Sequence, residues 1–185
     1  MVVMATSSDA TGSVDGVVGG SREAVETALV GFDREALADL GVDPDAVVTA
    51  VFTPAFIDEN TDFPDMQTFL EVAGAEGYWA LEGWLDWVLD WHVLGNTRFW
   101  SWEWLVHAAV AVRATAAAVG PVRCVCGGDV TPVTASDIEE PGRADGRWVD
   151  YRCEACGDRS RATHTPDGAA SLEGLEGLED ASRPS

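Results

Sequence analysis

Lysine is missing from this chain. All 11 of its basic residues are arginine, set against 32 Asp and Glu, and the formal net charge is -21 over 185 residues. Basic leaders are missing too: the opening MVVMATSSDATGSVDG has no positively charged n-region, no twin arginine and no long apolar run, so a cytoplasmic location is the expectation. The longest apolar stretch, SWEWLVHAAVAVRATAAAV at 101–119, is limited in length and carries Arg113, both of which count against a membrane span. Cysteine is sparse, with four residues, and in a reducing compartment four thiols point to metal or redox chemistry before structural disulfides. No Ser or Cys nucleophile stands beside His92 or His107, so no catalytic site is identified and the chain reads as a non-enzyme.

Hydrophobic residues make up 46% of the chain and eight are Trp, so a core forms and the carboxylates must lie on its surface. Such a surface repels itself unless salt screens it. At about 1 M salt the Debye length falls to roughly 3 Å, and carboxylates then keep the surface hydrated. The composition resembles that of proteins from salt-accumulating haloarchaea. High genomic GC content also favours Arg over Lys, but does not by itself require so many carboxylates.

The expected architecture is a mainly α-helical domain followed by a small carboxy-terminal β module. Residues 1–20 and 166–185 are small, polar and acidic, without core-forming periodicity, and read as tails. Between 21 and 120 the punctuation is helical: Asp43-Pro44 and Thr53-Pro54 each place an N-cap before a first-turn proline, and Gly41 suits a helix end. A helix is predicted over 79–94 with Trp84, Trp87, Val88 and Trp91 facing inward and Glu82, Asp86 and Asp90 forming a solvated stripe. The 101–119 segment, apolar nearly all round, predicts a buried central helix. A weak internal repeat aligns the segment from Phe56 with that from His92, 36 residues later: Asn-Thr, Phe and Ala recur, and Ile57, Met66, Phe69 and Leu70 match Val93, Trp102, Leu105 and Val106. Two similar helical units packed together would explain it.

At Val122 the pattern turns to β. Cys124 and Cys126 form C-x-C-G-G, and Cys153 and Cys156 form C-x-x-C-G, each pair closed by glycine and the two flanking a predicted hairpin. This arrangement, over residues 121–165, resembles a zinc ribbon. The resemblance implies a three-stranded antiparallel sheet and one structural zinc ion held by Cys124, Cys126, Cys153 and Cys156 in a closed tetrahedral site. Ribbon knuckles usually carry two residues between their cysteines, and the first pair here has one; His164 therefore stands as an alternative to Cys124. A thiol-redox reading of Cys153-Glu-Ala-Cys156 would require a βαβ setting that the pattern does not supply.

Charge is divided unevenly: residues 121–165 hold six Arg against eight acids, and the remainder five against 24. Arg147, Arg159 and Arg161, with Tyr151, are the candidate contacts to nucleic acid, weighed against local ion pairing. His92 and His107, beside tryptophans, read as packed or boundary residues. Trp100, Trp102 and Trp104 alternate where a loop enters a helix, so they cannot all face inward, and an exposed Trp is a candidate interface anchor. The leading expectation is a zinc-stabilised adaptor or regulatory protein working by protein contacts or self-association. A nucleic-acid-associated regulator is the alternative. Repulsion among the carboxylates predicts that thermal stability, followed by circular dichroism, rises from dilute buffer to molar potassium chloride; equal stability across that range would contradict it.

Overall fold

The computed structural model describes residues 22–119, 122–135, 147–164 and 170–173. The predicted amino-terminal tail, residues 1–20, lies outside the described residues. In chain order the helices are α1 (Arg22–Val30), α2 (Arg34–Asp39), α3 (Pro44–Val51), α4 (Pro54–Asn60), α5 (Met66–Ala73), a 3-10 turn (Tyr78–Leu81), α6 (Asp86–Asn96) and α7 (Trp102–Val119). The strands are β1 (Val130–Ala135), β2 (Arg147–Cys153), β3 (Arg159–His164) and β4 (Ala170–Glu173).

Short polar side chains start most of the helices, α6 with Leu85 before its first turn being an exception. Asp33 accepts from the amide of Ala36 at 2.8 Å, Thr53 Oγ1 from Phe56 at 3.2 Å, Asp65 from Thr68 at 2.7 Å and Ser101 Oγ from Trp104 at 3.2 Å. Pro44 and Pro54 occupy first-turn positions, where their missing N–H costs nothing. Gly74, at φ 85°, ends α5 in the left-handed region that other residues avoid.

Helix α7 lies at the centre. Leu105, Val106, Ala108, Ala109, Val110, Ala111 and Val112 are all buried, and the small alanines allow neighbours to approach from several sides. The helix touches α1, α3 and α6 on one flank and β1, β2 and β3 on the other. Ala135, Val149, Tyr151 and Ala162 of the sheet consequently join the same apolar cluster as Val25, Phe56 and Phe69. The boundary near residue 121 marks a change of secondary structure but not of core, and the β segment is not free-standing.

The sheet is antiparallel in the order β1-β2-β3-β4. It has one strand more than expected. Residues 170–173, within the predicted acidic tail, pair with β3 from His164↔Ala170 to Arg161↔Glu173. A four-residue strand beside a Leu-Glu-Gly repeat carries too short an alternation to be read from sequence. The β1–β2 ladder skips Val133, with Pro132 opposite Tyr151 and Thr134 opposite Asp150. This bulge frees the Val133 carbonyl, which accepts from Asn60 Nδ2 at 3.0 Å.

The predicted 79–94 helix is corrected on two counts. Gly83, at φ 79°, separates the 3-10 turn from α6, which begins at Asp86. The buried face of α6 is Leu89 and Val93, whereas Trp87 and Trp91 are 68% and 75% exposed. Helix α6 carries two apolar stripes and only one can face the core. Asp90 helps to select it: rather than standing in a solvated row, it accepts from the Trp102 amide at 2.8 Å and ties α6 to the start of α7.

The 36-residue repeat has a structural counterpart. Helices α4 and α6 end alike: Asn60 Nδ2 donates to Phe56 O and Asn96 Nδ2 to His92 O, each at 2.7 Å. Thr61 and Thr97 follow with φ/ψ of -139°/173° and -141°/172°, and their hydroxyls accept from Phe63 and Phe99 amides. The two loops then pair with each other. Thr61 bridges Thr97, Asp62 N donates to Asn96 O at 2.9 Å, and Arg98 N donates to Asn60 O at 3.3 Å. Rings exchange in the same way: Phe56 stacks on Phe99, and His92 on Phe63. Such reciprocity is the signature of a twofold relation between the units.

Buried Asn60 joins the end of α4 to the bulge of β1. Asn60→Ala should cost about 1–3 kcal/mol in chemical denaturation, because it leaves the Val133 carbonyl without this donor. Asn96→Ala, at a half-buried site, should cost less.

Candidate metal centre

The two cysteine turns meet at one end of the sheet. In the first, Gly127 at φ 81° reverses the chain, its amide donates to Cys124 O at 2.9 Å, and Gly128 N points at Cys126 Sγ at 3.4 Å. In the second, Gly157 at φ 76° does the same work, donating to Cys153 O at 3.0 Å. Glu154 N donates to Asp129 O at 3.0 Å and clips the turns together.

The single residue between Cys124 and Cys126 does not prevent convergence. Cys124 Sγ lies 3.6 Å from Cys156 Sγ, Cys126 Sγ lies 3.5 Å from Cys153 Sγ, and all four sulfurs fall within 4.8 Å of one another. A tetrahedral ion with metal–sulfur bonds of about 2.3 Å spaces its sulfurs about 3.8 Å apart, so the cluster has the size to hold one metal ion. Cys124 and Cys153 are buried while Cys126 and Cys156 are exposed. His164, the alternative ligand, ends β3, and the four-sulfur cluster forms without it.

The thiols compete for protons. The Cys156 and Ala155 amides help to hold Cys153 down to about 7. The Asp158 amide favours the Cys156 thiolate, but the neighbouring Cys153 thiol, with Cys124 and Cys126 beside it, outweighs that and pushes the group far above its ordinary value. A cation is what would let all four ionise together. The 3.5 and 3.6 Å sulfur approaches run between the turns, and the residues after Cys153 form a turn leading to β3, not the helix of a thioredoxin-like site.

The other predicted residues are dispersed. Arg159 forms a two-pronged pair with Glu59 at 2.9 and 2.6 Å, Arg152 pairs with Asp58 at 2.6 Å, and Arg161 grips Asp150 at 2.6 and 2.8 Å while covering Trp148. Arg147 is exposed at the start of β2, but Tyr151 is buried, its hydroxyl pushed up to about 12 by desolvation against the opposing pull of Arg113. His92 packs edge-on to Phe69 at 4.6 Å, and burial lowers its pKa below the ordinary 6.5. His107 Nδ1 meets Glu26 at 2.8 Å. Trp102 is buried against Phe32, Trp104 is half-buried, and Trp100 is 71% exposed. Sequence reasoning missed the uncovered face of Trp87, Trp91 and Leu94. Its signal was the second apolar stripe on α6.

No family model matches the chain, and searches of curated proteins and of solved structures give no match. Among the described residues, no helix is long and apolar enough to cross a membrane.

Gly128 packs into the cluster. A Cβ there would sit 2.7 Å from Ala155 Cβ, 3.0 Å from Cys153 Sγ and 3.2 Å from Cys126 Sγ. Gly128→Ala should therefore weaken metal binding by an order of magnitude or more in competition with a chromophoric chelator, while Gly95→Ala, which meets open space, should leave it unchanged.

Proposed function

We propose a zinc-stabilised, non-catalytic adaptor or regulatory protein that acts through protein–protein contacts in a salt-rich cytoplasm. In this reading the sheet and its two cysteine turns are a zinc ribbon, and the ion's role is structural. The convergence of four thiols from two turns supports the zinc assignment, since four sulfur ligands leave no open position for a substrate.

The observation that carries the adaptor role is the pair of exposed tryptophans on α6, Trp87 and Trp91, with Trp100 also largely exposed. Large aromatics left in water beside apolar neighbours are what interfaces recruit as anchors. The nucleic-acid alternative is weaker, because Arg152, Arg159 and Arg161 already hold carboxylates and would have to exchange them for phosphate.

Elemental analysis should find one zinc per chain, lost in Cys153→Ser or Cys156→Ser, with β structure disrupted on chelation; an intact sheet after complete metal removal would refute the structural zinc. Trp100→Ala combined with Trp91→Ala should abolish co-purification of an identified protein partner and leave the zinc content unchanged. Labelled DNA or RNA binding that survives those changes but is lost in Arg159→Ser with Arg161→Ser would favour the nucleic-acid reading instead.

A further inference from the structure

The reciprocal units differ in what covers them. On the first unit, three consecutive residues at the end of α4 reach the sheet: Asp58 pairs with Arg152, Glu59 with Arg159, and Asn60 Nδ2 donates to Val133 O. Their counterparts at the end of α6 are Leu94, Gly95 and Asn96. Leu94 is 55% exposed, and Trp91 and Trp87 prolong the same uncovered face. The twofold relation thus carries the seat of the chain's own sheet onto the bare face of the second unit.

The same operation specifies what fits there. Where α4 offers two carboxylates to two arginines, α6 offers Leu94 and a glycine, so the centre of the occupant must be apolar. Asn60 uses its amide on both the preceding helical turn and a strand carbonyl. Asn96 keeps the helical bond, and its second amide hydrogen turns back to His92 Nδ1 at 3.4 Å while His92 Nε2 donates to Phe69 O at 3.3 Å, so an incoming carbonyl would have to displace that long contact and the apolar and charged features carry the recognition. Across the loop, Arg98 Nη2 donates to Thr134 Oγ1 of β1 at 3.2 Å, whereas its counterpart is the exposed carboxylate of Asp62. A cation that reaches the chain's own strand is therefore replaced by an anion awaiting a cation, with Asp86 adding to the negative field.

We infer that the Trp91–Leu94 face of α6 binds an extended segment of a partner protein, apolar at its centre and bearing arginine or lysine at one end, in the position β1 takes on α4. The inference rests on the adaptor reading and names the partner's chemistry. A second copy of this chain is a poor occupant, because 11 basic residues against 32 acids leave it little extended basic segment to offer.

Selection from a random peptide library displayed on phage, with the Trp91→Ala protein as counter-target, tests it. Enriched peptides should alternate apolar and polar residues and carry Arg or Lys at one end. Their affinity should fall about ten-fold on Trp91→Ala or Leu94→Glu and several-fold on Asp62→Asn, with circular dichroism and metal content unchanged. Peptides with helical spacing of apolar residues, acidic peptides, equal enrichment on the counter-target or no enrichment would each overturn the proposal. So would a Trp91-dependent dimer in sedimentation. If an identified partner still needs Trp91 while no extended basic peptide emerges, the adaptor reading stands and this inference falls; if neither depends on Trp91, both fall.

Discussion

Burial of α7 from two sides is the constraint on which the rest of the structure depends. A helix with apolar residues nearly all round cannot be satisfied by helices alone on one flank, and here α1, α3 and α6 leave the other flank to the sheet. The alanines at 108, 109 and 111 set how near both layers come. The sheet is too short to build a core by itself, so its inward residues Val149, Tyr151 and Ala162 borrow that of the helices. The cysteine turns sit at the end of this shared arrangement, and their convergence is coupled to the packing of the whole domain.

Polar contacts fix how the layers meet. Asn60 on the β1 bulge, Arg98 on Thr134 and the pairs Asp58–Arg152 and Glu59–Arg159 all join the helical part to the sheet. The exposed ion pairs add little free energy individually, but the buried amide of Asn60 permits one register of strand against helix. In a chain with so few cations, pairing arginines across this seam also relieves repulsion where carboxylates would otherwise face one another.

Much of this was legible in the residues. Asp43-Pro44 and Thr53-Pro54 named two helix starts, the 101–119 run named the buried helix, and the glycine-terminated cysteine pairs named the cluster. The repeat was visible as Asn-Thr-x-Phe, although pairing between its two loops follows from tertiary contacts that no local pattern records. The orientation of α6 was misread because Trp84, Trp87, Val88 and Trp91 line up opposite Glu82, Asp86 and Asp90 as an amphipathic pattern; the Asp90 contact to the Trp102 amide and the burial of Leu89 and Val93 show the other stripe facing the core. Strand β4 escaped because pairing to an existing edge can recruit a segment with little propensity of its own.

That last strand bears on how the protein is made. Among the described residues, the outer edge of β3 finds its hydrogen-bond partners in residues 170–173, the last of the described elements in chain order. During vectorial synthesis every other described element, including both cysteine turns, leaves the ribosome before this edge can be closed. For that interval the nascent chain presents an unpaired strand, the kind of surface that recruits neighbouring chains. Four residues thus exchange a six-residue edge for a shorter one, which offers a neighbouring chain less backbone to pair with.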